Sequence, residues 1–400
     1  MANTLLVILI ALLLAYLISG IFRYFALPRV IGQILAGIIL SIPVMKSALF
    51  TNDILLIFSF ITNIGIILLF FFIGLEINLK QFRKNFKESS LIAFFNTVIP
   101  LAAGFLSGKF LFHFDNTTSL ILGISVSVSS QAISLDILEE VKLLRSKIGN
   151  LIIASGTVDD VFELLLISFI LFVFHSAALG QGSFQKLIFG VLIFVVVIII
   201  SRILLIPFAL RVFEREKSKS ALFMGALIIV LLMSYLSELF GIGSLIGALI
   251  AGILVRQTLL TGEDRKPWRK NEISHSIHII SFGFLIPLFF VNVGLNISIT
   301  TLPSSFLLIL VFLIIDILGT LIGTIIGVLL SKGTLTEGLI VGWGVIPKGD
   351  TEVIIATLAL NSRLISVEIF TAIITVALVS TFLAPIVFKT LIKKHAEFLK

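Results

Sequence analysis

Long apolar stretches alternate along the chain with short polar connections, most of them basic. A helix needs about 20 apolar residues to cross roughly 30 Å of hydrocarbon, and the stretches meet that length. They predict spans near 3–19, 28–43, 53–76, 88–113, 118–138, 147–174, 184–210, 219–238, 242–259, 273–296, 303–331, 334–360 and 364–393, thirteen in all. The ten-residue alternation of a membrane barrel is absent. The pattern therefore predicts an all-α polytopic membrane protein.

Composition sharpens this reading. The 400 residues are 58% hydrophobic and 13% charged, with a mean hydropathy of +1.20, where an ordinary globular chain is about 25% charged. Of 29 Lys and Arg residues, 23 fall on one face of the predicted topology and four (Lys46, Lys109, Lys186, Arg363) on the other. Basic loops stay cytoplasmic, so the N-terminus is expected outside and the C-terminus inside. The net charge of +7 sits in these loops. It points to anionic lipid headgroups and not to nucleic acid. With no cysteine, disulfides and thiolate metal sites are excluded. The first span lacks a basic leader and a cleavage site, so it reads as retained.

Two patterns recur at nearly equal offsets. Ile31-Gly32-Gln33-Ile34-Leu35-Ala36-Gly37-Ile38 is echoed by Ile246-Gly247-Ala248-Leu249-Ile250-Ala251-Gly252-Ile253, and Gly74-Leu75 by Gly294-Leu295. Each offset covers seven spans, an odd number, which predicts two six-helix repeats of opposite orientation. Residues 1–174 and 219–393 would form the repeats and 184–210 a linker helix. Inverted repeats are an architecture of secondary transporters. The same offset pairs a polar run in span 5, including Ser129, Ser130 and Gln131, with Pro347-Lys348-Gly349-Asp350 in span 12. Proline and glycine break the second helix. Interrupted helices are tolerated at membrane depth only where they line a cavity, so crossed, discontinuous helices are expected to build the site. Lys348 and Asp350 would neutralise the helix ends there.

The strongest chemical signal is Asp159-Asp160 inside span 6. A charged residue at the bilayer centre costs roughly 2.5–3.5 kcal/mol on insertion scales, and adjacent acids repel as well. Thr157 lies beside them, and Glu163 follows Asp160 by three residues. Such a pair is expected to carry ions or protons.

These motifs resemble the monovalent cation–proton antiporter superfamily, in the branch of NapA-type sodium/proton and Kef-type potassium/proton exchangers. The likeness rests on Ile31–Gly37, Phe72-Ile73-Gly74-Leu75-Glu76, Asp159-Asp160, Phe289–Leu295 and Pro347–Asp350, which occur in the family's order. It implies a NapA/NhaA-like fold with a core domain and a separate dimerisation domain, hence a homodimer. It also implies that Asp160 carries the transported Na+ or H+. Asp159 would be the extra acid of sodium-selective members, and Ser129, Ser130, Gln131 and Thr157 the polar surroundings. Lys348-Gly349-Asp350 stands where the family has Arg-Gly-Glu. Electrogenic members have a lysine in span 11; here the matching register puts Thr320 at that position, with Asp316 one turn earlier.

The expected function is therefore Na+/H+ antiport by alternating access, possible with Li+ or K+, in the plasma membrane of a prokaryote. Cation and proton would compete for Asp160 and Asp159. With Thr320 unable to titrate, exchange is expected to be electroneutral. No cofactor and no enzymatic chemistry are expected. The main alternative is a Kef-type K+/H+ antiporter; with Lys400 soon after the last span, that group's nucleotide-binding regulatory domain is not expected. A sodium-coupled solute symporter would not need twin aspartates, and the signatures of an intramembrane aspartyl protease are missing.

Overall fold

Apolar periodicity produces helices throughout. The computed structural model describes residues 2–24, 28–76, 86–130, 134, 137–138, 143, 146–156, 158–159, 162, 166, 183–208, 219–261 and 267–395, and no strand occurs among them. The helices are α1 (Ala2–Tyr24), α2 (Arg29–Leu40), α3 (Pro43–Leu49), α4 (Asn52–Glu76), α5 (Phe86–Leu106), α6 (Asn116–Ser127), α7 (Ser183–Ile200), α8 (Lys219–Leu239), α9 (Ser244–Thr261), α10 (Pro267–Ile280), α11 (Ile286–Asn296), α12 (Phe306–Leu330), α13 (Leu335–Val345), α14 (Asp350–Asn361) and α15 (Val367–Lys394). Residues 147–156 are also helical. Among the described residues, seven helices are long and apolar enough to cross a membrane, or eight if α2 and α3, bent by 83° at the break between them, count as one span. Four shorter apolar helices accompany them.

Two compact units are present. The first comprises Met1–Leu12, Ser47–Asn78 and Ser168–Asn292; the second comprises Leu13–Lys46, Leu79–Ile167 and Val293–Lys400. In the first, Gly74 of α4 packs on α9. A Cβ there would meet the Leu249 carbonyl oxygen, and would come within 3.0 Å of the Gly252 Cα and the Ile253 nitrogen. In the second, Gly294 of α11 packs on α2 in the same way, against the Ile34 carbonyl, the Gly37 Cα and the Ile38 nitrogen, the last two 2.7 Å from a Cβ. Every partner corresponds under the offsets read from the sequence. The helix ends correspond too. Arg256 donates to the Leu75 carbonyl at 2.8 Å and Lys46 to the Leu295 carbonyl at 3.1 Å, each a cation on a helix C-terminus.

The second unit carries the two interruptions. α6 ends at Ser127, and Val128 turns extended (φ −72°, ψ 137°). α13 starts in a capping box of Thr334 and Glu337 and stops at Val345; α14 restarts at Asp350 after Gly349. Proline at 347 explains the stop, since it has no N–H to donate and its ring clashes with the preceding turn. α12 is divided lengthwise. Leu310, Ile314, Leu318 and Ile322 are exposed, while Asp316, Gly319, Thr320, Gly323, Thr324 and Gly327 are buried. The first stripe suits lipid. The glycines of the second lie against α5, where Cβ atoms would stand 3.0 Å from Pro100 at Gly319 and 2.5 Å from Ile92 at Gly327, and would meet the Phe95 carbonyl at Gly323. Small residues let helix backbones approach this closely. That approach brings the polar side chains of α5 and α12 together.

Candidate functional site

The two interruptions touch. The Ser130 N–H donates to the Pro347 carbonyl at 2.7 Å, so a carbonyl freed by the break in one segment is bonded by the other. A Cβ on Gly349 would lie 2.9 Å from the Ser130 Cβ. Lys348 stands at the crossing. Its backbone N–H donates to the Thr381 hydroxyl of α15 at 2.8 Å. Its ammonium reaches the Val126 carbonyl at 2.9 Å, the Val128 carbonyl at 2.6 Å and Asp316 Oδ1 of α12 at 2.7 Å. An ammonium has three protons to donate, and all three are used. Two go to the carbonyl end of α6, where the helix dipole favours a cation. The Lys348 and Asp316 side chains are 1% and 0% exposed, so this is a fully buried ion pair.

Asp159 is buried beside the same crossing but within a different network. Its Oδ1 accepts from the Thr97 hydroxyl at 2.7 Å. Its Oδ2 accepts from the Ser129 hydroxyl and, at 3.2 Å, from the Asn96 amide. The Asn96 Nδ2 also reaches Ser129 Oγ at 3.4 Å. The carboxylate fixes the amide's orientation, because a reversed amide would set oxygen against oxygen. The Asn96 carbonyl then accepts from the Thr324 hydroxyl at 3.1 Å. Each partner is neutral and each carries an oxygen or an amide. Hydroxyl, amide and carboxylate oxygens suit a hard monovalent cation, and hydroxyls can rotate between donating and accepting. Among the described residues no cluster of His, Asp and Glu has metal-chelating geometry.

Residues 8–394 match the family described as "Sodium/hydrogen exchanger, transmembrane". The chain belongs to that family. It is 32% identical to a Na(+)/H(+) antiporter of Enterococcus hirae over 94% of each chain. It is 25% identical to the Na(+)/H(+)-K(+) antiporter GerN of Bacillus cereus, over 90% of this chain and 88% of that one. The solved structure of the sodium proton antiporter MjNhaP1 from Methanocaldococcus jannaschii superposes with a TM-score of 0.64 at 16% identity, covering 99% and 97% of the two chains. That last likeness is one of fold. The protein is thus a multi-pass membrane transporter of the exchanger family.

Within this family member, Asp159, Ser129, Ser130, Asp316 and Lys348 all lie at or beside the helix crossing. Thr320 is buried on α12, but the α12 hydroxyl that reaches the Asp159 network belongs to Thr324, one turn further on. Asp160, Gln131, Thr157 and Glu163 lie outside the described residues, as does the side chain of Asp350, the first residue of α14. Sequence reasoning did not single out Asn96, Thr97, Thr324 or Glu352. For the first two the signal was present: an adjacent polar pair in the middle of an apolar span. Thr324 stands in a glycine stripe that reads as packing alone. Glu352 is an acid within span 12, overshadowed by its neighbour Asp350.

Proposed function

We propose that the protein exchanges Na+ for H+ by alternating access, with cation and proton competing for the acid pair Asp159-Asp160. The observation that carries this reading is Asp159 itself: a buried carboxylate held by neutral hydroxyl and amide groups at the contact of two broken helices. Such donors stabilise the carboxylate without cancelling its charge, so a cation or a proton can still bind it. Both repeat-related contacts described above support an inverted-repeat transporter. Asp160 is the carrier by its resemblance to the family's second aspartate, and Asp159 tunes affinity and ion preference. A bare buried carboxylate is penalised, so the carrier crosses loaded with one ion or the other.

Exchange of one proton per cation follows from α12. It carries no basic residue, and its acid, Asp316, is already paired with Lys348. Asp159 therefore gains no cationic partner from α12 whose displacement would move a second charge. The homodimer, the plasma-membrane location with the N-terminus outside, and the repeat bounds 1–174 and 219–393 belong to the same reading. Transport of K+ is the second reading, favoured by the name of the GerN relative.

The test is cation-driven proton movement in proteoliposomes, followed with a pH-sensitive dye and Na+, Li+ and K+ in turn. Asp160→Asn is expected to abolish it. Asp159→Asn is expected to leave the maximal rate largely intact and to raise the apparent KM. Substantial exchange by Asp160→Asn would remove the carrier assignment. A response to K+ alone would replace the sodium reading with the potassium one.

A further inference from the structure

Glu352 is 0% exposed and stands in the first turn of α14, four residues after Lys348. Neither of its carboxyl oxygens has a hydrogen-bond partner among the described residues. It lies within electrostatic reach of Lys348 and Asp316. Among the described residues, those two are the charged groups that face it. Among the helices packed against α14, α6 carries no titratable side chain, and the charged residues of α15 lie in its first turn (Glu368) or towards its C-terminal end (Lys389, Lys393, Lys394). The cluster thus contains two carboxyls and one ammonium, all buried. The ammonium is committed to Asp316 and to two carbonyls. Two ionised carboxyls would leave one uncompensated negative charge, and an uncompensated buried charge is strongly destabilising. A single proton on the carboxyl that lacks the ammonium brings the cluster to neutrality.

We propose that Asp316 and Glu352 share one proton and the one ammonium of Lys348, so that Glu352 is a proton-holding residue distinct from the Asp159-Asp160 pair. In the state described here Lys348 is paired with Asp316 and Glu352 holds the proton. In the alternative state the proton sits on Asp316 and the ammonium on Glu352. The two states have equal charge, and no proton leaves the cluster when they interchange. What differs is the position of the ammonium, which in the first state bonds the Val126 and Val128 carbonyls and so ties α6 to the break before α14. Glu352 is a positioning residue in this scheme. It offers Lys348 a second seat and thereby a way to release the α6 end. The inference rests on the buried cluster and holds whichever cation the protein exchanges.

The experiment is infrared difference spectroscopy of the purified full-length protein in lipid with saturating Na+, which keeps the Asp159-Asp160 pair loaded and unprotonated. The wild type is expected to show the C=O stretch of a protonated carboxylic acid, shifted in D2O. Glu352→Gln should lose that band, and so should Asp316→Asn, because Lys348 then pairs with the single remaining carboxylate and no proton is needed. Thermal melting supplies the second readout. Each single variant should remain folded, whereas the double variant Asp316→Asn/Glu352→Gln strands the ammonium and should lose far more stability than the two single losses combined. A wild type without the band, a band that persists in both single variants, or additive losses of stability would overturn the proposal. Failure of Na+ exchange in the wild type would instead remove the functional reading, and the part of the band lost in Glu352→Gln would still carry this proposal.

Discussion

Asp159 and Asp316 are both aspartates sunk in helix packing within the same unit, and they are held in opposite ways. Asp316 meets a full charge at 2.7 Å, and that charge is bonded in turn to the end of a helix. Among the described residues, Asp159 takes its hydrogen bonds from hydroxyls and an amide alone, drawn from α5, from the residues after α6, and through Asn96 from α12, and feels Lys348 without bonding to it. The first arrangement sets the carboxylate against a fixed cation of the protein itself. The second solvates a negative charge without neutralising it, which is what a site needs if Na+ and H+ are to displace each other. A membrane acid is therefore not enough to mark an ion site; the kind of partner decides.

The contrast can be broken hardest at Lys348. Lys348→Ala leaves Asp316 without its cation and α6 without its cap, and should cost about 3–5 kcal/mol. The expected result is a large drop in melting temperature in detergent. Asp316→Asn should cost clearly less than Lys348→Ala, because Glu352 can receive the ammonium. Equal losses would mean that Glu352 takes no part.

Widening the gap between α5 and α12 tests the other side. Gly323→Val pushes a branched side chain against the Phe95 carbonyl and should cost about 1–3 kcal/mol by overpacking. It should also raise the apparent KM for Na+, because Asn96 adjoins the displaced backbone. A variant with wild-type KM would uncouple the packing stripe from the site. Thr324→Val is a gentler probe. It removes one neutral hydrogen bond to Asn96, worth about 1 kcal/mol, and should change KM several-fold while leaving the melting temperature nearly unmoved.

The smallest effect is expected outside the membrane. Asp115 caps α6 through the N–H groups of Thr117 at 2.8 Å and Thr118 at 3.1 Å. Partial burial pushes its carboxyl upward, but the hydrogen bonds from Thr118 and Thr117 outweigh that and hold it below the usual carboxylate range. A depressed group contributes stability above its unfolded pKa of about 3.9 and loses it as pH falls through the folded value. Asp115→Ala should cost about 1 kcal/mol at neutral pH, and the difference from wild type should shrink in strong acid. A difference that does not depend on pH would remove the capping role.

Much of this was legible in the chain. Pro347 and the serine run announced the two breaks, because proline and backbone-bonding side chains act locally. The repeat offsets marked Gly74 and Gly294 as equivalent positions; the helices they pack on became visible only in the fold. Lys348 was visible as a charge beside a break. Asn96, Thr97 and Thr324 were harder to see: the first two reach Asp159 across a tertiary contact, and Thr324 reaches Asn96 only after α5 and α12, more than 200 residues apart in the chain, have packed along the Gly319–Gly327 stripe. The pairing of Asp316 with Lys348 was hidden for the same reason. The helix face of Asp316 is readable from the sequence, but its partner lies across a tertiary contact.

The central claim is that cation and proton compete for the carboxylates that include Asp159. The most direct measurement is the apparent KM for Na+ in proteoliposomes at several pH values. KM should rise as pH falls, approaching about tenfold per pH unit on the acid side, the limit for one competing proton. A KM that stays constant across that range, with only the maximal rate changing, would contradict the account.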